Sequence, residues 1–422
     1  MILRRLREAV TTPWQRTLYI IFFAQLMTAV GFSSIFPFLP LYVKDLGAVS
    51  NLSIEFLAGL VFSAQAFTMM ITAPIWGTLA DRYGRKLMVQ RAMFGGAVML
   101  LLMAFARSAE ELVIMRAIQG LITGSVAAAS ALVASVAPRE RSGYAMGLLQ
   151  VGLGAGIAFG PLIGGAIADE LGYSAAFYVT AGLLFLSGIL VLVGVEEEFV
   201  PAGALNGGVR SFMAQWRGVL NAPGVVMAYG MRFMNNLGRM MILPMVPLFI
   251  ETLLRDVERI NTFTGLVIGG GAASMTISAI YLGRLGDRIG HRRIIIVSML
   301  MAAVLYVVHS FVLEGWQLLL LQTLAGITMG GILPAISALL TRYSQVGDEG
   351  AVFGLDSSVQ AAARSVAPML GAAVAVWFSL RATFVATAVL YLAAGALAAW
   401  RLPQPEGDRQ LQAVESKIDD LK

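Results

Sequence analysis

The 422-residue chain is 58% hydrophobic and 13% charged, with a mean hydropathy of +0.78, against about 25% charged residues in soluble domains. Since about 20 apolar residues cross roughly 30 Å of hydrocarbon, this length holds twelve spans with short loops and leaves no room for a sizeable soluble domain. Cysteine is absent, which excludes disulfide, thiolate-metal and cysteine-nucleophile chemistry.

In chain order, basic residues precede an apolar run that continues to about Val43 without a small-residue cleavage site. An uncleaved first span is expected there. Apolar runs predict spans at 18–43, 54–79, 87–106, 110–136, 143–168, 173–195, 224–250, 262–282, 294–313, 316–340, 350–377 and 382–400. The widest polar gap lies between the sixth and seventh. The expected organisation is an N-terminal bundle over 1–195, a cytoplasmic linker over 196–223, a C-terminal bundle over 224–401 and a cytoplasmic tail over 402–422. Of the Lys and Arg residues, 21 fall on the side that holds both termini, 5 opposite and 4 inside spans. The positive-inside rule therefore puts both termini in the cytoplasm. These charges hug the membrane without interleaved aromatics, so no nucleic-acid partner is expected. His291 and His309 lack ligand partners at metal spacing, and no metal is expected.

The chain repeats itself. A shift of about 206 residues aligns PFLPLYV at Pro37 with PMVPLFI at Pro244, and GTLADRYGRK at Gly77 with GRLGDRIGHR at Gly283. One further residue sets GPLIGG opposite APMLGA, with Pro161 facing Pro368. Two copies of six spans keep the same orientation, which relates the halves by a pseudo-twofold axis along the membrane normal and places ligands between them.

Three motifs sit in this frame. GTLADRYGRK carries Gly77, Asp81, Arg82, Gly84, Arg85 and Lys86, and its repeat carries Gly283, Asp287, Arg288 and Gly290; the glycines suit a tight turn, and Asp81 suits acceptance from backbone N–H groups at a facing helix N-terminus. LVIMRAIQG places Arg116, followed by Gln119 and Gly120, about two turns inside the fourth span, where a cation costs a few kcal/mol unless it has a partner or a cavity. GIAFGPLIGG sets Gly156, Gly160, Gly164 and Gly165 around Pro161, a smooth stripe for close helix crossing.

Together these motifs resemble the major facilitator superfamily over essentially the whole length, and more narrowly its drug:proton antiporter branch. The resemblance implies an all-α integral membrane protein, twelve transmembrane helices in two six-helix bundles, whose loop motif holds the cytoplasmic side closed. It implies a part in proton coupling for Arg116, and a cavity lined by the first, fourth, seventh and tenth spans. Gln25, Arg116, Gln119, Arg232, Asn236 and Arg239 are expected in that cavity, with Gln360 and Arg364 on a polar stripe of the eleventh span. Asp356 has two open readings, proton relay or latch partner of Arg82 or Arg288. The first span carries no acid, unlike many proton-coupled relatives, and Ser135 stands where relatives often place an aspartate, with Glu140 nearby.

The function so implied is secondary active transport by alternating access, with proton-coupled export of lipophilic drug-like compounds. The alternative is an organic anion, sugar derivative or anionic lipid recognised by cavity arginines. No nucleophile–base pair or appended domain supports an enzyme, no cofactor is expected, and a monomer in a bacterial inner membrane is the expected setting. Positions where the halves differ mark the expected path: Gln25 against Arg232, Phe32 against Arg239, Arg116 against Gln322 and Ile157 against Arg364.

Overall fold

The computed structural model describes residues 13–138, 141–197, 224–254, 259–343 and 349–402. Those residues form sixteen helices and no strand, as hydrocarbon demands of backbone groups that must be satisfied within the segment. Span 1 is α1 (Pro13–Ser34) with α2 (Leu39–Leu46), span 2 is α3 (Ile54–Tyr83), span 3 is α4 (Arg85–Met103), and span 4 is α5 (Ala109–Ile122) with α6 (Ser125–Val136). Spans 5 and 6 are α7 (Ser142–Leu171) and α8 (Tyr173–Gly194), and span 7 is α9 (Val225–Ile242) with α10 (Met245–Leu253). Spans 8 and 9 are α11 (Ile260–Ile289) and α12 (His291–His309). Span 10 is α13 (Gly315–Gly330) with α14 (Ile332–Tyr343), and spans 11 and 12 are α15 (Glu349–Trp377) and α16 (Leu380–Arg401). Glu140, most of the expected linker and nearly all of the expected tail lie outside the described residues.

Ten of these spans are long and apolar enough to cross a membrane as single stretches, and the bent pair of span 7 makes eleven. The remaining one, expected at 110–136, is two helices of 14 and 12 residues that meet at Gly124, whose φ of +126° suits only glycine. Breaks recur at the repeated prolines. Span 1 interrupts its helix around Pro37 and restarts with Pro40 in the first turn, while span 7 turns by 41° at Leu243 and Pro244.

Side chains cap the helix starts at one face. Ser53, Ser108 and Ser379 accept from Phe56, Glu111 and Ala382 N–H at 3.3, 3.2 and 3.1 Å, and Glu314 forms a capping box with Gln317. All four begin spans at the face opposite the termini, called the far face below. At the terminal face the loop motifs instead turn on Gly84 and Gly290, at φ +101° and +93°. Gly77 and Gly283 are helical rather than turn residues, because the helices continue to Tyr83 and Ile289.

The halves join through span 5 against span 8 and span 2 against span 11. Small residues permit it: a Cβ on Gly269 would press on the Ala158 carbonyl, and one on Gly59 on that of Pro368. Within the first half, Gly156, Gly160 and Gly164 face the backbone of span 1, and Ser33 donates to the Gly156 carbonyl at 2.9 Å. Gly165 turns the other way, onto Asn261 of span 8. The expected small-residue stripe therefore packs two spans at once.

Candidate functional site

The far face is clamped across the halves. Asp169, in the last turn of span 5, accepts from Asn261 N and Nδ2 at 3.2 and 2.7 Å and from Thr262 N and Oγ1 at 2.6 Å each. These backbone N–H groups open span 8, so the carboxylate sits at the positive end of a helix dipole. Lys44 of span 1 adds a two-pronged pair with Glu251 of span 7, both N–O distances 2.8 Å.

The terminal face is open. Ile71 and Ile75 of span 2 are more than half exposed, and a Cβ on Gly77, Gly143, Gly147 or Gly354 would meet no atom within 4 Å. Between clamp and opening lies a pocket built from both halves, with Phe36 and Ile157 from the first, and Arg239, Met240, Met275, Tyr306, Gln322 and Met329 among those from the second. Flexible thioethers and aromatic rings make an adaptable apolar wall, on which Arg239 places one cation and Gln322 one amide. Arg364 is exposed on span 11, within electrostatic reach of Arg239 and Asp356.

The expected cavity residues divide. Arg239 lines the pocket, and Gln360 and Arg364 reach accessible surface. Gln25, Arg116, Gln119, Arg232 and Asn236 do not: each is at most 4% exposed, turned into the packing of its own half. Arg116 donates to Gln119 at 2.8 Å and lies 5.8 Å from the centroid of the Phe62 ring, while its Nε and second amino group have no hydrogen-bond partner among the described residues. Gly120, one residue beyond Gln119, lets span 2 close over this turn at Gln65 and Thr68. Arg232 is held by Asp356, Nε to Oδ1 at 2.7 Å. That contact places Asp356 with Arg232 rather than with Arg82 or Arg288, which stand in the last turns of spans 2 and 8.

The loop motif is anchored by a residue outside it. Glu197, just past span 6, accepts from Arg85 N and Lys86 N at 2.9 and 2.8 Å and so caps span 3 in the manner expected of Asp81. Lys86 donates to the Leu192 and Val195 carbonyls at 3.0 and 2.6 Å, and its repeat counterpart Arg292 donates to Ala399 O at 2.6 Å. Arg85 reaches Ala131 O at 3.3 Å. In the terminal-open state these basic groups thus engage their own halves. Asp287 of the second loop pairs with His291 at 3.3 Å. Glu197→Ala should lower detergent-state stability by about 1 kcal/mol, the usual worth of a side-chain helix cap, read as a drop in thermal midpoint. An unchanged midpoint would show the cap to be dispensable.

Arg91 adds an intramembrane cation not anticipated from its position so near the loop. It stacks over Trp76 with 3.4 Å between guanidinium carbon and ring centroid, which brings the terminal ends of spans 2 and 3 together.

Comparison with known proteins agrees with this architecture. The family profile described as Major Facilitator Superfamily matches residues 21–254 and 228–419. The chain is 35% identical over 380 residues to the multidrug resistance protein MdtG of Serratia proteamaculans, covering 90% of this chain and 92% of that protein. It is 33% identical over 410 residues to MdtG of Yersinia enterocolitica, covering 96% and 98%. Among solved structures, a bacterial homolog of the human lysosomal transporter Spinster, captured inward-facing and unoccupied, superposes with a TM-score of 0.78 at 13% identity over 94% of this chain and 98% of that one. The human organic anion transporter MFSD10 superposes at 0.65 with 18% identity, over 92% and 100%. With two profile matches that between them take in both halves, and relatives alike along nearly their whole length, the chain belongs to the major facilitator superfamily.

Proposed function

We propose that the protein is a proton-coupled exporter of lipophilic drug-like compounds, working by alternating access in a bacterial inner membrane. The observation that carries this reading is the pocket of methionines and aromatic rings between the halves, clamped on one side and open on the other. The MdtG relatives are named for multidrug resistance, which supports the same substrate class. The Lys and Arg bias puts the open, terminal face in the cytoplasm, the side from which an exporter loads. In an efflux-deficient bacterial host, expression should lower ethidium accumulation severalfold, and collapse of the proton gradient should abolish the difference. Equal accumulation with and without the protein would sink the reading.

A second reading, transport of an organic anion, draws on Arg239 in the pocket wall and Arg364 beside it. These cations face a region of low dielectric where charge complementarity selects the ligand, and the structural neighbour MFSD10 is titled an organic anion transporter. Arg239→Ala should weaken binding of a lipophilic anion such as a bile salt by about tenfold, the roughly 1.4 kcal/mol of one charged contact, and leave ethidium binding unchanged or stronger. An unaltered anion affinity would remove the main support for this alternative.

A further inference from the structure

A transporter that exchanges substrate for protons needs a group inside a span that carries the proton in one conformation and surrenders it in the other. Among the described residues, carboxylates such as Glu55, Asp169, Glu251 and Asp287 stand at span ends or in loops. Asp356 alone lies two turns inside a helix, 5% exposed. The opposite position in the repeat of the first half offers no acid.

The surroundings of Asp356 make it more than a structural charge. Arg232 of span 7 meets Oδ1 at 2.7 Å, and Gln360 donates to Oδ2 at 2.8 Å. Arg232 spends its other arms on Ser337 Oγ and Leu333 O in span 10, at 2.7 and 3.3 Å. One carboxylate therefore ties together spans 7, 10 and 11. Each carries its own point of weakness: the bend after Ile242, the break at Gly331 and Pro368 within the helix.

We propose that Asp356 is the proton-binding residue of the transport cycle and that Arg232 is the partner it holds only when deprotonated. This rests on the proton-coupled reading above. The proton adds to a carboxylate oxygen of Asp356 from the far side and leaves to water at the terminal face; Arg232 keeps its charge throughout. With the carboxyl neutral, Arg232 retains only the uncharged acceptors on span 10, and spans 7 and 11 are released from each other. The terminal-open state, with the ion pair closed, is thus the state after proton release, when substrate loads. The groups that face Asp356 are Arg232 and Tyr229 from span 7, Ser337 through Arg232 from span 10, and Gln360 and Arg364 on its own helix. Spans 2 and 12, which also pack on span 11, carry Asp81, Arg82 and Arg401 in their last turns.

The test needs no known substrate. Because the chain has no cysteine, spin labels at Asp45→Cys and Thr252→Cys report the far-face separation without background removal. Lowering the pH from about 7 to about 4, into the ordinary carboxylate range, should move the parent protein toward a longer distance. Asp356→Asn should reduce that pH-driven change in population ratio at least tenfold, and Asp356→Glu should restore it. If Asp356→Asn does not fold, the paired change Asp356→Asn with Arg232→Gln removes both buried charges and should fold and stay insensitive to pH. A pH response that persists in either neutral variant overturns the assignment to Asp356 alone. A parent protein indifferent to pH overturns the assignment and the proton-coupled reading together.

Discussion

Asp169→Ala is expected to open the far face. The carboxylate makes four hydrogen bonds to Asn261 and Thr262, and bonds to a charged group contribute about 1.5–3 kcal/mol each before their non-additivity is counted. A loss of about 2–4 kcal/mol from the clamp changes the ratio of closed to open far face by about 30- to 1,000-fold, at 1.4 kcal/mol per decade. The Lys44 to Glu251 pair does not compensate, since it is solvent-exposed and such pairs contribute about 0–1 kcal/mol. In the Asp45 and Thr252 labelled protein the longer distance should become the main population without any change of pH. A distance distribution identical to that of the parent would mean that helix packing around Gly165 and Gly265, not the carboxylate, keeps the face shut.

An opened far face has a consequence for transport. Export requires both faces to open in turn, and a clamp that is too weak lets the far-open state accumulate at the expense of the loading state. Asp169→Ala should therefore weaken loading from the terminal face more than release at the far face.

How far such arguments reach from sequence alone differs by feature. The span order and the two halves follow from hydropathy and the repeat, because lipid imposes one rule on every segment, and the breaks of spans 1 and 7 fall at a proline pair, whereas those at Gly124 and Gly331 do not. Of the unequal positions in the repeat, Ile157, Arg239 and Gln322 line the pocket, whereas Gln25, Arg116 and Arg232 are buried away from it. Where equal residues recur, as in the two Asp-Arg loops, they form the frame instead.

The direction of a polar side chain is another matter. Helical spacing puts Arg232 and Arg239 two turns apart on one side of the helix, yet one is buried against Asp356 and the other lines the pocket. Which face of a helix meets which neighbour depends on its rotation within the bundle, and a period of 3.6 residues does not contain that angle. Partners far apart in sequence were equally hidden. Asp356 finds Arg232 across 124 positions, and Glu197 finds Arg85 across 112. A signal did exist for the clamp: Asp169 stands in the last turn of span 5, and Asn261 and Thr262 stand in the first turn of span 8. Only the packing of span 5 on span 8 turns those two ends into a pair.

That packing also decides the fate of the glycine stripe, where two substitutions on one helix should act in opposite directions. A Cβ on Gly164 would run into the Ser34 backbone, and one on Gly160 into Ser33 and the Val30 carbonyl, so neither can be absorbed by turning a side chain. Span 1 must move away, which breaks the Ser33 contact to the Gly156 carbonyl and leaves the outer half of span 1 loosely packed. Overpacking of this kind costs about 1–3 kcal/mol, and Gly164→Ala should lower the thermal midpoint in detergent and abolish ethidium efflux. Gly147 lies nearly five turns from Gly164 toward the terminal face of the same helix, in open space. Gly147→Ala meets nothing there and removes backbone freedom from the unfolded chain, a gain of about 0.5–1 kcal/mol. Its midpoint should rise. Efflux should nevertheless slow, because closing the terminal face brings this turn against the second half and the added methyl then has to be accommodated. If both alanines raised stability alike, the stripe would be acting through helix propensity rather than through the close crossing of spans 1 and 5.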